Sequence, residues 1–206
     1  MSYDRKEKEA LHNFSTAFLI NFIFGILSTL LVASTITSWI FYGIMSNPTV
    51  SFSLYLILSA LVSIIGTIIY IYYLYRGFDL MEEIVSGISH GKIGAILMIF
   101  SVAIYPFIYP FFTFHTYLGP PEMSWIALVL SVIVILGVLG LIGIILVVIS
   151  LYRIGENYDS TIIKIGAVLL IFLGFIGSIL LYIGFRDLET KSWIKKAIIL
   201  PPPPPA

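Results

Sequence analysis

The chain has no cysteine and little charge: Asp, Glu, Lys and Arg together make up 11% of its 206 residues. The missing cysteines exclude a disulfide framework and thiolate chemistry. The shortage of charge excludes more. Soluble domains carry about a quarter charged residues, so this chain cannot cover a globular surface with polar groups, and a soluble enzyme and a disordered chain are both ruled out. Eleven Lys and Arg balance eleven Asp and Glu, without the basic patch that nucleic acid requires. His12, His90 and His115 are too scattered to suggest a metal cluster. What is abundant is apolar: 59% hydrophobic residues and a mean hydropathy of +1.06. These are the proportions of an integral membrane protein.

The few charges are also gathered. They fall at Asp4 to Glu9, Arg76 to Lys92, Arg153 to Lys164 and Arg186 to Lys196, with Glu122 alone. A charge at the bilayer centre costs about 2.5–3.5 kcal/mol on insertion scales, so the uncharged runs between these groups mark spans. A helix needs about 20 residues to cross about 30 Å of hydrocarbon. The run 10–75 is long enough for two, and it divides at Ser46-Asn47-Pro48-Thr49, where the proline stops a helix. The sequence thus predicts an all-α polytopic transmembrane bundle of about five spans, at 16–44, 51–75, 93–117, 125–152 and 164–185. A charged cytoplasmic N-terminus, 1–15, precedes this domain (16–185) and a polar tail, 186–206, follows it. Trp39, Tyr42, Tyr75, Tyr117, Trp125, Tyr152 and Tyr182 fall near span ends, as interfacial aromatics do. Pro106 and Pro110 predict a kink in the third span, because each removes a backbone donor. The apolar run from Phe14 to Met45 far exceeds the 7–15 residues, roughly, of a signal-peptide core, so the first span is expected to stay uncleaved.

Lys and Arg in the loops set the orientation. A cytoplasmic N-terminus puts seven of them inside and four outside, and the reverse exchanges these figures. The N-terminus is expected inside, which leaves the basic tail on the unfavoured side. An internal echo bears on this. Leu74-Tyr75-Arg76-Gly77 is followed by a block from Lys92 to Phe100, and Leu151-Tyr152-Arg153-Ile154-Gly155 by a block from Lys164 to Phe172. The two nine-residue blocks agree at seven positions. Each unit is a span, a charged loop and a second span, so the pattern predicts a parallel duplicated helical-hairpin unit. A third echo, Leu181-Tyr182-Ile183-Gly184-Phe185-Arg186, would bring 165–185 back as a hairpin and place every Lys and Arg on one side. Legs of about ten residues reach only about 15 Å at 1.5 Å per residue, and their turn would be stranded in hydrocarbon. A single span over 164–185 is therefore the expectation.

The Leu-Tyr-Arg-x-Gly loop, Tyr-Arg-Ile-Gly-x-x-Tyr, the two Lys-Ile-Gly-Ala starts and Leu181-Tyr182-Ile183-Gly184 resemble an archaeal, crenarchaeal-type family of multi-pass membrane proteins of unknown function. The likeness is clearest over 72–100 and 150–188. It implies an archaeal cell membrane and carries no activity.

Arg76, Lys92, Arg153, Lys164 and Arg186 stand at span ends. Snorkelling interfacial anchorage is the plain reading; a shared vestibule or a grip on lipid headgroups is the sharper one. Gly137, Gly140 and Gly143, with Gly174 and Gly177, lie where small residues let helices approach closely, so helix packing is expected of them. His115 and Glu122 share the outer side, but two groups are too few for a closed metal site. Residues 79–89 carry Leu80, Ile84 and Ile88 at a spacing that fits a short interfacial helix. Asn13-Phe14-Ser15 is a glycosylation sequon that an inside N-terminus leaves unmodified. Pro201 to Pro205 favour polyproline II, which can dock an aromatic groove.

No ionisable group lies within a span except His115 near an end, which weighs against proton- or ion-coupled transport. No catalytic, cofactor or metal set converges. The expectation is a non-catalytic scaffold or accessory subunit that meets membrane lipid and other membrane subunits or its own copies, and no nucleic acid. A small permease or channel of duplicated hairpins is the alternative, supported by the repeat, the proline-broken third span and the Tyr-rich segment Tyr70, Tyr72, Tyr73 and Tyr75.

Overall fold

The computed structural model describes residues 3–42, 49–102 and 123–199, and all the regular structure in them is helical. The helices are α1 (Tyr3–Tyr42), α2 (Thr49–Met81), α3 (Ser89–Val102), α4 (Met123–Asn157), α5 (Thr161–Phe172) and α6 (Gly174–Ile199). Among the described residues, three stretches are long and apolar enough to cross a membrane: Asp4–Leu31, Leu58–Met81 and Ala127–Asn157. Ser89–Phe100 and Thr161–Phe172 are apolar but shorter. The expected break at Ser46–Pro48, the kink at Pro106 and Pro110, His115, Glu122 and the proline tail lie outside the described residues.

Each helix packs on the next in sequence, and α1 closes on α6, so the six form a ring. Neighbours run antiparallel where their contacts fix the direction. Phe14 meets Gly77 and Phe24 meets Gly66 between α1 and α2. Between α3 and α4, a methyl group on Gly94 would lie 2.7 Å from the Gly143 carbonyl oxygen, and one on Gly143 would lie 2.8 Å from that of Gly94. In hydrocarbon no water is released when apolar helices meet, so approach close enough for dispersion contact is what holds them.

The segment expected as one span over 164–185 is two helices folded back on each other. Gly166 meets Leu181, Gly177 meets Leu170 and Gly184 meets Ile163. The stranded-turn objection fails because the corner is a single residue, Leu173, and its backbone stays paired. The Leu173 N–H donates to the Leu169 carbonyl at 2.7 Å, the Gly177 N–H to the Leu173 carbonyl at 2.9 Å, and the Ser178 hydroxyl to the Gly174 carbonyl at 2.7 Å. Few polar groups are left for the hydrocarbon. The tail therefore returns toward the N-terminus: Phe185 stacks on Phe14 at 4.8 Å and Glu189 lies 3.3 Å from His12.

Two further expectations change. The charged segment 1–15 is not a separate arm, because α1 begins at Tyr3 and buries Ala10, Leu11 and Phe14 completely. Residues 79–89 form no separate helix. α2 runs to Met81, and Val85 and Ile88 of the following loop drop into the core. Gly87, at φ +80°, then turns the chain into α3, a conformation that glycine adopts without cost.

Candidate functional site

Two regions of the ring hold its polar chemistry. One is the end where the charges meet. Lys6 pairs with Glu83, Arg76 with Glu9 at 4.0 Å, Lys92 with Asp79 at 3.0 Å and Glu82 at 2.6 Å, and Lys164 with Asp159 at 3.7 Å. Arg153 donates to the Gly87 carbonyl at 2.5 Å, which ties the end of α4 to the loop before α3. The Tyr158 hydroxyl donates to Glu7 at 2.7 Å. Hydrogen bonds from Lys92 to Glu82 and Asp79 hold its ammonium above the usual lysine range. Of the five expected anchors, Arg76, Lys92, Arg153 and Lys164 thus engage partners within the chain, while Arg186 is exposed. All five stand at one end of the bundle.

Beneath these charges the ring is filled. Phe14, Phe18, Phe78, Met81, Leu151, Ile154, Ile163 and Phe185 are wholly buried. Phe14 meets Phe78 edge-on at 5.0 Å, and Phe18 stacks on Phe185 at 5.9 Å. Of the glycines expected to pack helices, Gly143 and Gly177 make backbone contacts, Gly140 is buried, Gly137 is half-buried and Gly174 stands open at the hairpin corner.

The second region is a half-open cavity of about 190 Å³ to which every helix contributes: Asn21, Thr67, Tyr70, Met98, Ile144, Val147, Leu170 and Gly174. It arises from unequal lengths. Twelve-residue α5 reaches about 18 Å at 1.5 Å per residue, whereas α1, α2 and α4 run well past the Leu173 corner. The ring loses two of its walls there, just beyond the layer where Phe18 meets Tyr70. The Asn21 amide donates to the Ser178 hydroxyl at 2.7 Å, and the Thr67 hydroxyl donates to the Ser63 carbonyl at 2.7 Å. Tyr70 is 2% exposed, and its hydroxyl has no hydrogen-bond partner among the described residues. Among those residues no cluster of metal-ligating side chains occurs.

Sequence reasoning noticed Tyr70 only as one of a run with Tyr72, Tyr73 and Tyr75, and passed over Asn21 and Thr67. The signal was available. Tyr70, Leu74, Gly77, Phe78 and Met81 share one buried helical face, while Tyr72 and Tyr75 point away from it. A neutral amide or hydroxyl deep in an apolar run also marks an inward-facing position.

A family model described as "Protein of unknown function (DUF973)" matches residues 6–205, nearly the whole chain. No curated protein matches, and no solved structure matches.

Proposed function

The chain belongs to the DUF973 family, and from that premise we propose a non-catalytic membrane module, a scaffold or accessory subunit of a larger envelope complex. The observation that carries this reading is the closed end of the ring. Side chains from all six helices fill it, and charged groups far apart in sequence engage one another above it. A part built to stay shut suits a static role. The long helices meanwhile show apolar faces beyond the packed region: Ile23, Leu27 and Leu30 on α1, and Leu128, Val134 and Ile135 on α4. Such faces suit lipid or a neighbouring subunit's helices.

The duplicated unit is part of this proposal. Gly87 and Asp159, the two described residues in left-handed conformation, each stand five positions before their lysine, Lys92 and Lys164. Leu74, Leu151 and Leu181 are each buried, with an outward residue two positions on. An archaeal cell membrane belongs to the same proposal and rests on the resemblance alone.

Photo-crosslinking from Leu30 or Val134 in native membranes tests the scaffold reading. A defined adduct with one membrane subunit, or with a second copy, is expected. Adducts with lipid alone from both faces, and isolation as a lone species, would overturn it. The cavity favours a second reading, a small permease for uncharged solutes, and flux into proteoliposomes would reveal it.

A further inference from the structure

We infer that His12 of α1 and Glu189 of α6 form a proton-operated latch at the charged end of the ring. It holds the end of α6 on α1 while the imidazole is charged and releases it when the imidazole is neutral. The His12 Nδ1 atom lies 3.3 Å from one Glu189 carboxylate oxygen, and the two side chains are 58% and 15% exposed. The other oxygen, Oε2, is buried with no hydrogen-bond partner among the described residues.

The charged groups around this carboxylate are occupied or turned away. On α1, Glu9 faces Arg76 of α2 at 4.0 Å; on α6, Asp187 pairs with Lys191 at 2.6 Å; on α5, Lys164 pairs with Asp159 at 3.7 Å. Lys8, one turn before His12, is engaged in an interaction of its own, and Arg186 is exposed. Among the described residues, His12 is the one ion-pair partner that Glu189 has.

Histidine is the residue whose ordinary titration changes its charge between about pH 5 and 8, while lysine and arginine keep theirs across that window. With the imidazole neutral, a carboxylate with one oxygen sealed from water loses its counter-charge, and an uncompensated buried charge is strongly unfavourable. Swinging Glu189 into water relieves it. Phe185, stacked on Phe14 at 4.8 Å, holds α6 one turn earlier, and Leu188 is its last described apolar side chain packed against the core. Thr190 and Lys191 are already exposed. Beyond Leu188 the pair is therefore the described tie between the two helices, and by linkage acid favours the closed form. Such a latch suits a scaffold and a permease alike.

The test is a distance measurement between spin labels on Arg5→Cys and Thr190→Cys of the full chain in lipid nanodiscs, at about pH 5 and about pH 8. Both positions are exposed, and the chain has no cysteine of its own. One narrow, short distribution is expected in acid. The longer-distance population should rise about fivefold or more at the higher pH, the lower end of the usual coupling between linked sites. His12→Gln, which keeps a donor and never carries charge, should show the long distance at both pH values. Glu189→Gln, which removes the charge and keeps the shape, should show the short distance at both. Distances that do not move with pH in the parent protein would overturn the inference, as would opening on acidification. So would a pH response that persists in either variant, or a variant locked in the opposite state.

Discussion

The charged end of the ring and the far reach of its long helices are built from the same residue types and held together differently. At the charged end, Phe14, Leu74, Leu151 and Phe185 are enclosed on every side. Beyond the hairpin corner, Leu30 is 63% exposed and Ile135 60%. Hydropathy scores the two regions alike. What separates them is company: the enclosed residues have α5 and the start of α6 beside them, neighbours that the far reach lacks among the described residues. In a membrane an Ile or Leu side chain gains little by exchanging lipid for protein, so the packed end owes its cohesion to fit. Fit can be broken one residue at a time.

The largest effect expected is all-or-none. If the tail returns beside the N-terminus, single cysteines at Ser86, Asn157 and Lys191 all react with an impermeant maleimide from the same face of sealed vesicles. The chain contributes no cysteine of its own to confuse the readout. Labelling of Lys191→Cys from the opposite face would restore the single span over 164–185 and dissolve the ring.

Next comes the core against the exposed reach of the long helices. Phe14→Ala removes a wholly buried ring that meets both Phe78 and Phe185, and about 3–5 kcal/mol is the usual loss for such a truncation. Leu30→Ala, at an exposed position, should change stability by less than about 0.5 kcal/mol. Reversible unfolding in mixed micelles measures both. Equal losses would mean that the charged end is not the better-packed region.

Much of this contrast was legible in the sequence, and the part that was not has a physical cause. Charge-free runs located α1, α2 and α4, since the cost of a charge in hydrocarbon is a property of the residue alone. Lys92, Lys164 and their echo located the starts of α3 and α5 in the same way. The hairpin at Leu173 was hidden because no proline, asparagine or charge marks it. The chain turns there inside the apolar run Leu169–Leu181, and its only trace is Gly174 and Gly177, which a straight helix could equally carry. The Leu-Tyr-x-Gly-Phe echo at 181–185 held the answer, and a correct rule about stranded turns argued it away by assuming an open corner. Tyr70 was hidden for another reason: whether a hydroxyl is partnered depends on five other helices.

The glycines give a smaller and sharper test of fit. Gly177→Ala sets a methyl group against the Leu170 backbone, which cannot rotate aside, and overpacking of this kind costs about 1–3 kcal/mol. Gly174→Ala, three residues away with nothing within 4 Å, should be neutral within about 0.5 kcal/mol. Similar losses from both would show that the α5–α6 contact is loose.

The smallest effect belongs to Lys92, and its sign can be fixed in advance. Its ammonium is held above the usual lysine range by Glu82 and Asp79. A raised value in the folded chain means stability that is fully present below the lysine's unfolded value. It is lost only as pH climbs through the higher folded one. Between pH 6 and 9, roughly, lysine stays charged in both states, so Lys92→Met should lower the melting temperature by the same small amount across that window. The groups are solvated and paired at the surface, so salt near 1 M, roughly, where screening acts within about 3 Å, should erase most of the difference. A deficit that vanished on going from pH 7 to pH 9 would mean that Lys92 loses its proton far earlier than two carboxylates at hydrogen-bonding distance allow. A deficit that survived high salt would move the lysine's contribution from charge to the packing of its stem against the loop at 82–88.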